Sequence, residues 1–404
     1  MRDFLGSAAK AFSEARWLTR ERLLVAGAAC GVGWLGVLAL AGCFDADSEH
    51  WGRDFVQFWS YAQLAARGRP AAAYALHAHQ TIDHVFAYPP IVMLLCRPLA
   101  GLSYPLAMLV WGGLGLTFFT FTLSRLIGWE IAALVAVVTP SAVFNIYLQQ
   151  TGYYTAVLLG GGLMLLERRP AAAGIVLGML WCKPQLGILL PSALIAGRYW
   201  QTLVAVALTA LTLTTASAIL YGPDAWIGYF GHMVALSRLI ASADVAATWM
   251  PMPTVFAMMR HIGASVPIAY AFQGLSAISA AIAVALLWRG DSPIGIKSAG
   301  LVIATFLATS YAWAYDALAL IFAAAWLANE AAKTGFRPWE KTCVLVLLTL
   351  PAPAAISVRL SGLQLGPILL WLALVVVMER GLDWRFPAVI RPVRRLSSGS
   401  TSTG

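Results

Sequence analysis

Apolar segments of about 17 to 25 residues recur along the whole chain and are separated by polar stretches. A helix of about 20 apolar residues crosses a hydrocarbon layer roughly 30 Å thick, and within lipid it satisfies its own backbone hydrogen bonds. The alternating pattern typical of membrane β-barrels is missing. The sequence therefore predicts an all-α integral membrane fold, a polytopic bundle of about 12 transmembrane helices. The predicted spans are 23–42, 104–126, 130–148, 153–167, 171–183, 184–197, 200–221, 266–288, 297–313, 316–330, 341–357 and 363–380.

Two polar segments, residues 43–103 and 222–265, are much longer than the other connections. The first contains apolar residues at helical spacing, which favours an amphipathic helix on the membrane surface. Residues 91–102 are too short for an easy crossing and are predicted to be interfacial or re-entrant. The apolar positions of the amphipathic helix are Phe55, Phe58, Trp59, Leu64 and Ala65.

Charged residues are scarce, and the basic ones cluster beside the apolar spans. The chain is 60% hydrophobic and 11% charged, with a net charge of +9. Lys and Arg at the ends of spans mark cytoplasmic loops, so both termini are expected in the cytoplasm. The two long loops then lie on the outer face of the plasma (inner) membrane, in contact with membrane lipids. Nucleic acid is not an expected partner, because the basic residues form no single-face footprint.

This organisation predicts three segments in the chain. Residues 1–22 form a cytoplasmic basic leader, and residues 23–385 form a single transmembrane domain. Residues 386–404, rich in Ser, Thr and Gly, are predicted to be a disordered cytoplasmic tail.

The histidines and cysteines predict no metal site. His77, His79 and His84 share the first loop only with Asp83 as a nearby carboxylate, so solvated histidines are the favoured interpretation. The five cysteines are scattered without paired spacing. No cofactor is predicted, and a divalent metal is left open.

Asp54, Lys183 and Asp316 are ionisable residues close to predicted spans, which makes them functional candidates. A carboxylate facing a cation suggests general-base chemistry beside an anionic leaving group. The membrane setting suggests that this anion is a lipid phosphate. The alternative interpretations are helix caps for Asp54 and Asp316, and a snorkelling side chain for Lys183.

Lys183 joins two short predicted spans, 171–183 and 184–197. Arg169 before the pair and Arg198 after it favour the cytoplasm, so Lys183 becomes the outer apex. About 12 residues rise only roughly 18 Å in a helix. The apex is therefore expected either near the outer headgroups or in a protein-lined cavity, where broken helices are tolerated.

Several short segments, taken in order, resemble glycosyltransferase family 87. They run from about Arg53 to Leu320, and each alone is weak. The quoted segments are Asp54-Phe55-Val56-Gln57-Phe58, Phe86-Ala87-Tyr88-Pro89-Pro90, Gln149-Gln150-Thr151-Gly152, Ala173-Gly174-Ile175-Val176-Leu177-Gly178, Cys182-Lys183-Pro184-Gln185 and Tyr315-Asp316.

The resemblance implies a GT-C-like architecture and transfer of mannose from polyprenyl-phosphate mannose to a lipid or glycan acceptor. By the same resemblance, Asp54 would deprotonate the acceptor hydroxyl in an inverting displacement, and Lys183 would neutralise the departing phosphate. Actinobacterial members carry paired histidines about where this chain has Tyr315-Asp316. These two residues are therefore expected to act as a second acid–base group, to orient a cation, or to cap a helix.

Further sugar or acceptor contacts are expected from polar and aromatic residues on the outer side. For Gln149 and Gln150 a polar turn is an equal alternative, and for Trp313 an interfacial anchor is the alternative. The expected contacts are Arg53, Tyr88, Gln149, Gln150, Gln185 and Trp313.

A membrane hexosyltransferase is the function that these observations favour. A polytopic transporter or flippase of a lipid-linked sugar is the alternative, and a subunit without chemistry is a further one. Transporters commonly have internal repeats and ionisable residues in the middle of several spans, and the predicted spans show few of either.

Overall fold

The computed structural model describes residues 52–75, 87–242 and 252–383, with single residues and short stretches between 11 and 33. Regular structure in this described part is entirely helical, which confirms the all-α prediction. Most of the predicted span 23–42, the histidines His77, His79 and His84, and the predicted tail 386–404 lie outside the described residues.

Most of the described helices follow one another with short connections, and some of these contain 3-10 turns. The 3-10 turns are Pro70–Tyr74, Arg97–Gly101, Met179–Cys182 and Pro184–Gly187. The α-helices are α1 (Phe55–Ala66), α2 (Ile91–Cys96), α3 (Tyr104–Ile127), α4 (Trp129–Val138), α5 (Pro140–Leu148), α6 (Gly152–Leu165), α7 (Pro170–Gly178), α8 (Leu190–Ala196), α9 (Trp200–Tyr221), α10 (Pro223–Ser242), α11 (Val255–His261), α12 (Val266–Arg289), α13 (Ile294–Ala308), α14 (Leu318–Thr334), α15 (Glu340–Thr349), α16 (Pro351–Ser361) and α17 (Gly366–Gly381).

Three of these helices, α3, α9 and α12, are each long and apolar enough to cross a membrane. Two bent pairs, α4 with α5 and α15 with α16, raise the number in the described residues to five if each pair is one span. The chain is thus an integral membrane protein by these candidate spans. The predicted number of about 12 stays a prediction, because several other predicted spans are helices of only 10–17 residues.

Both bends occur where a proline opens the second helix of the pair. The axes turn by 63° between α4 and α5, at Pro140, and by 77° between α15 and α16, at Pro351. Proline lacks an N–H and its ring crowds the preceding turn, so it is accommodated at the start of a helix and not inside one. The sequence predicted single spans over 130–148 and 341–357, and the structure breaks each of them.

The apolar helices differ in what covers them. Nearly every side chain of α13 is buried, and α14 is buried from Leu318 to Leu327, so these two form the centre of the bundle. By contrast α9 leaves Val204, Leu208 and Ile219 exposed. A helix that is apolar all round lies either in a protein core or against lipid, and the bundle contains both kinds.

The predicted amphipathic helix in the first loop is present as α1. Its buried face includes Phe55, Phe58 and Tyr61, and the Phe58 ring stacks on Trp111 of α3 with ring centroids 5.1 Å apart. The apolar face therefore packs against protein. Location on the membrane surface stays a prediction.

The chain also breaks where the sequence predicted, at Lys183-Pro184. Lys183 has φ −144° and ψ 70° and separates two 3-10 turns. A proline disfavours the α region for the residue before it, which accounts for the non-helical backbone at Lys183. Lys183 is only 3% exposed, so the lysine sits in protein surroundings and does not snorkel to an interface.

Candidate active site

An open cleft collects most of the predicted polar residues. Segments from distant parts of the chain form its walls. The lining residues are Arg53, Asp54, Gln57, Ala87, Tyr88, Leu148, Gln150, Lys183, Gln185, Leu236, Tyr311, Trp313 and Tyr315.

Asp54 reaches the cleft from a turn that immediately precedes α1. Gly52 has φ 68°, in the left-handed region that favours glycine, and its carbonyl accepts a hydrogen bond from the Phe55 N–H at 2.8 Å. Asp54 occupies the N-cap position of α1, yet its side chain accepts no capping bond. Instead Asp54 Oδ2 accepts a hydrogen bond from Gln150 Nε2 at 2.9 Å. A capping role alone does not explain this carboxylate.

Gln150 lies in the tight connection between α5 and α6. The Asn145 side chain accepts a hydrogen bond from the Gly152 N–H at 2.8 Å, which fastens the start of α6 to α5. Gln149 adopts φ 55°, and its amide donates to the Ile146 carbonyl at 2.9 Å. Gln149 therefore closes its own helix and is not among the cleft-lining residues, whereas Gln150 faces Asp54.

Tyr88 lies between the two ends of the cleft. Its hydroxyl donates to Gln150 Oε1 at 2.9 Å and is 3.0 Å from Thr151 Oγ1. The Tyr74 hydroxyl donates to the Tyr88 carbonyl at 2.9 Å. Burial raises the pKa of Tyr88 well above its usual value, and the nearby charge of Asp316 adds to the effect. The phenol therefore stays protonated and acts as a donor.

Lys183 and Asp316 form a buried ion pair at the back of the cleft. Lys183 Nζ lies 2.6 Å from Asp316 Oδ1, and the two side chains are 3% and 0% exposed. The Trp313 N–H donates to Asp316 Oδ2 at 2.9 Å. Helix α14 starts after Ala317, which holds the N-cap position. The Asp316 side chain is thus ion-paired with a lysine and does not hold the N-cap position of the helix.

Two aromatic rings surround the ammonium group of Lys183. Nζ lies 4.7 Å from the centroid of the Tyr315 ring and 5.6 Å from that of the Tyr88 ring. The Trp313 ring lies parallel to Tyr315, with centroids 6.3 Å apart and an interplanar angle of 3°. Cations favour such positions near aromatic rings. The rings lie beside an ion pair whose side chains are 3% and 0% exposed.

Six residues that the sequence selected as site candidates line the cleft, and their contacts with a sugar, acceptor or donor stay predictions; they are Arg53, Tyr88, Gln150, Gln185, Trp313 and Tyr315. Two further polar lining residues, Gln57 and Tyr311, were not predicted as site residues. Gln57 follows Asp54 by three positions, so helical spacing places both on one face and was the available signal. For Tyr311 the sequence offered no comparable signal.

In the part of the chain that the structure describes, no group of three or more His, Cys, Asp or Glu side chains is placed to hold a metal ion. The expectation that no cofactor takes part stays a prediction, and the sequence analysis left a divalent metal open.

The comparison with known families matches residues 86–311, more than half of the chain, to glycosyltransferase family 87. The chain belongs to glycosyltransferase family 87. The resemblance noted in the sequence is thereby confirmed, and the protein is a glycosyltransferase with membrane helices. No curated protein and no solved structure matches the chain. The family 87 match contains Tyr88, Gln150 and Lys183, while Asp54 precedes it and Asp316 follows it.

Proposed function

We propose that this family 87 glycosyltransferase transfers a hexose, mannose by the family resemblance, from a polyprenyl-phosphate sugar to a lipid or glycan acceptor. One observation carries the proposal: a carboxylate and a buried ammonium group line the same cleft. In a displacement at a sugar phosphate, a carboxylate can take the proton of the attacking hydroxyl, and a cation can stabilise the leaving phosphate.

Asp54 is the general base in this proposal. Its side chain is 14% exposed, so an acceptor hydroxyl has access to it while most of its surface is covered by protein. Gln150 donates to Oδ2 and Arg53 Nε lies 3.8 Å from Oδ1, and both groups favour the ionised carboxylate. An ionised and oriented carboxylate is suited to remove the proton of an acceptor hydroxyl.

Lys183 binds the phosphate of the donor. An ammonium group has three donors, and among the residues that the structure describes Nζ donates one hydrogen bond, to Asp316. Two N–H directions are then available for phosphate oxygens. A compact cation in surroundings with little water stabilises the growing charge of a leaving phosphate strongly.

The reaction is a single displacement. Asp54 takes the proton from the acceptor hydroxyl, and the acceptor oxygen forms a bond to C1 of the sugar. The bond between C1 and the phosphate oxygen breaks, and its electron pair leaves with the polyprenyl phosphate beside Lys183. The configuration at C1 is inverted because attack and departure occur on opposite faces.

The membrane orientation belongs to the same proposal. The basic clusters beside the spans favour cytoplasmic termini, and the loop that carries Asp54 then lies outside. The cleft opens on the outer face of the membrane, where donor headgroup and acceptor meet.

The decisive experiment combines a donor panel with an Asp54→Asn variant. Purified protein in lipid nanodiscs is incubated with a series of polyprenyl-phosphate sugars and an extract of membrane lipids and glycans, and the release of polyprenyl phosphate is measured. The wild type is expected to consume one donor, with polyprenyl-phosphate mannose the first candidate. Asp54→Asn is expected to lower the rate by about 100- to 10,000-fold, the usual effect of losing a general base.

Asp224→Asn is the matched control, because Asp224 is an exposed carboxylate in the first turn of α10, outside the cleft. Its rate should equal that of the wild type. Full activity of Asp54→Asn would show that Asp54 is not the general base. Gradient-driven movement of a lipid-linked sugar in proteoliposomes, without any sugar transfer, would replace the enzyme proposal by a flippase.

A further inference from the structure

The side-chain amide of Gln150 is held at both ends by buried or half-buried partners. Gln150 Oε1 accepts the Thr151 N–H at 3.1 Å and the Tyr88 hydroxyl at 2.9 Å, and Nε2 donates to Asp54 at 2.9 Å. Gln150 itself is 5% exposed. The amide thus links the turn between α5 and α6 to the Asp54 carboxylate, which immediately precedes α1.

The partners fix which end of the amide faces Asp54. The backbone N–H of Thr151 can only donate, so the atom that it meets must be the oxygen. The nitrogen then points to Asp54, where an ionised carboxylate can only accept. Both ends agree, and the opposite amide orientation would place a donor against a donor and an acceptor against an acceptor.

Tyr88 locks this orientation further. Its single proton goes to Gln150 Oε1, so the Thr151 hydroxyl, 3.0 Å away, supplies its own proton to the Tyr88 oxygen. The directions of all these hydrogen bonds follow from the one backbone N–H. A change at Gln150 that keeps an oxygen at Oε1 preserves them.

We propose that Gln150 is a positioning residue, which holds the Asp54 carboxylate ionised and aimed at the acceptor hydroxyl. This role rests on the proposed function of Asp54 as the base. The donated hydrogen bond fixes Oδ2 and favours the charged form. Gln150 therefore acts through Asp54 on the rate of the chemical step and on its pH dependence, and it takes no part in binding the donor.

Other charged and titratable groups around Asp54 contribute to the same pH dependence. Arg53 lies beside Oδ1, Tyr88 and Tyr315 feel the Asp54 charge, and Lys183 lines the same cleft. The tested substitution changes none of them.

Gln150→Glu is the decisive variant, because it is isosteric and keeps an oxygen for Tyr88 and the Thr151 N–H. Its second oxygen faces Asp54 as an acceptor, so the donated hydrogen bond is replaced by repulsion between two carboxylates or by a shared proton. The donor is polyprenyl-phosphate mannose, or whichever sugar of the panel the wild type consumes. We expect kcat near pH 7 to fall about 10- to 100-fold, with KM for the donor within about twofold. The acid limb of the pH–rate profile is expected to move up by about one pH unit or more.

Gln63→Glu is the matched control. Gln63 Nε2 donates to the Ala100 carbonyl at 2.7 Å, outside the cleft, so the same substitution removes a donor there without touching Asp54. It is expected to leave kcat and the pH profile unchanged, even where it lowers the unfolding temperature. Gln150→Leu, which removes both ends of the amide, should also shift the acid limb upward, by less than Gln150→Glu.

The outcomes separate the two proposals. An unchanged kcat and pH profile for Gln150→Glu, with Asp54→Asn inactive, would overturn the positioning role alone. Full activity of Asp54→Asn would overturn the proposed base, and the role of Gln150 with it. A rise in KM with an unshifted profile would make Gln150 a substrate contact and would also contradict the inference.

Discussion

Two buried ion pairs lie at opposite ends of α14, and they differ in how completely their groups are bonded. Asp316 precedes the helix and pairs with Lys183, while Thr334 and Gly335 at its other end bind Arg380, which pairs with Glu340. A helix of 17 residues is roughly 25 Å long. Both pairs are less than 10% exposed.

Arg380 is almost saturated with acceptors. It donates four hydrogen bonds, two to Glu340 and one each to Thr334 Oγ1 and the Gly335 carbonyl, out of five N–H groups. Glu340 also accepts the Arg337 N–H at 2.7 Å. Lys183 donates one hydrogen bond out of three and lines a cleft.

This difference separates a structural pair from a candidate ligand-binding pair. A buried ion pair whose groups are nearly all bonded within the protein leaves little for a ligand and fastens helices α14, α15 and α17 together. A buried cation with spare donors beside a cleft is suited to bind an anion. Burial of charge alone therefore does not identify a candidate site, and the spare donors of Lys183 are what make it the candidate.

The largest effect is expected from breaking each pair at its cation. Lys183→Met should lower the transfer rate by about 100- to 1,000-fold, because the leaving phosphate loses its charge partner. Arg380→Met should leave the rate per folded molecule close to that of the wild type. It should lower the unfolding temperature clearly, since an unpaired buried Glu340 costs about 3–5 kcal/mol. The transfer rate is measured as the initial rate per folded molecule, and stability is measured by thermal unfolding in detergent. An equal loss of rate in Lys183→Met and Arg380→Met would contradict the assignment of only the Lys183 pair to ligand binding.

A smaller effect on folding is expected when both charges of a pair are removed together. Lys183→Met with Asp316→Leu, and Arg380→Met with Glu340→Leu, leave no unpaired charge, so each should recover most of the stability that its single cation variant loses. Only the second double variant is expected to transfer sugar. Thermal unfolding and transfer rates test this, and an active Lys183→Met, Asp316→Leu protein would contradict the phosphate-binding role.

The smallest effect concerns the rings beside Lys183. Tyr315→Leu removes the nearer ring, and a cation–π contact contributes about 1 to 2 kcal/mol when it is partly or fully desolvated. We expect a loss of transfer rate of about tenfold, whereas Tyr315→Phe, which keeps the ring, should stay near the wild-type rate. A tenfold loss in Tyr315→Phe as well would assign the effect to the hydroxyl group instead.

Local patterns were enough to predict much of the fold. Apolar periodicity predicted α1, and the dipeptide Lys183-Pro184 predicted the break between two short helices, because proline restricts the residue before it. The bends at Pro140 and Pro351 were missed. Hydropathy averaged over a window does not register a single residue that ends a helix.

The candidate site was predicted only as a set of separate residues. Asp54, Lys183 and Asp316 were selected because ionisable groups near lipid are costly. Gln149 and Gln150 were indistinguishable in the sequence, since both are amides in one turn. Which of them faces Asp54 depends on the left-handed backbone of Gln149, the residue at which α5 ends and the chain turns towards α6.

By itself the sequence determined that the protein is a helical membrane protein of glycosyltransferase family 87. It also selected three charged residues as candidates, because an ionisable group near lipid is costly. Only the tertiary structure decided the pairings. Lys183 meets Asp316 across 133 residues, and Gln150 meets Asp54 across 96. Such contacts depend on how the helices pack and on which donor and acceptor groups this packing brings together. Neither can be predicted from the spacing of residues along the chain.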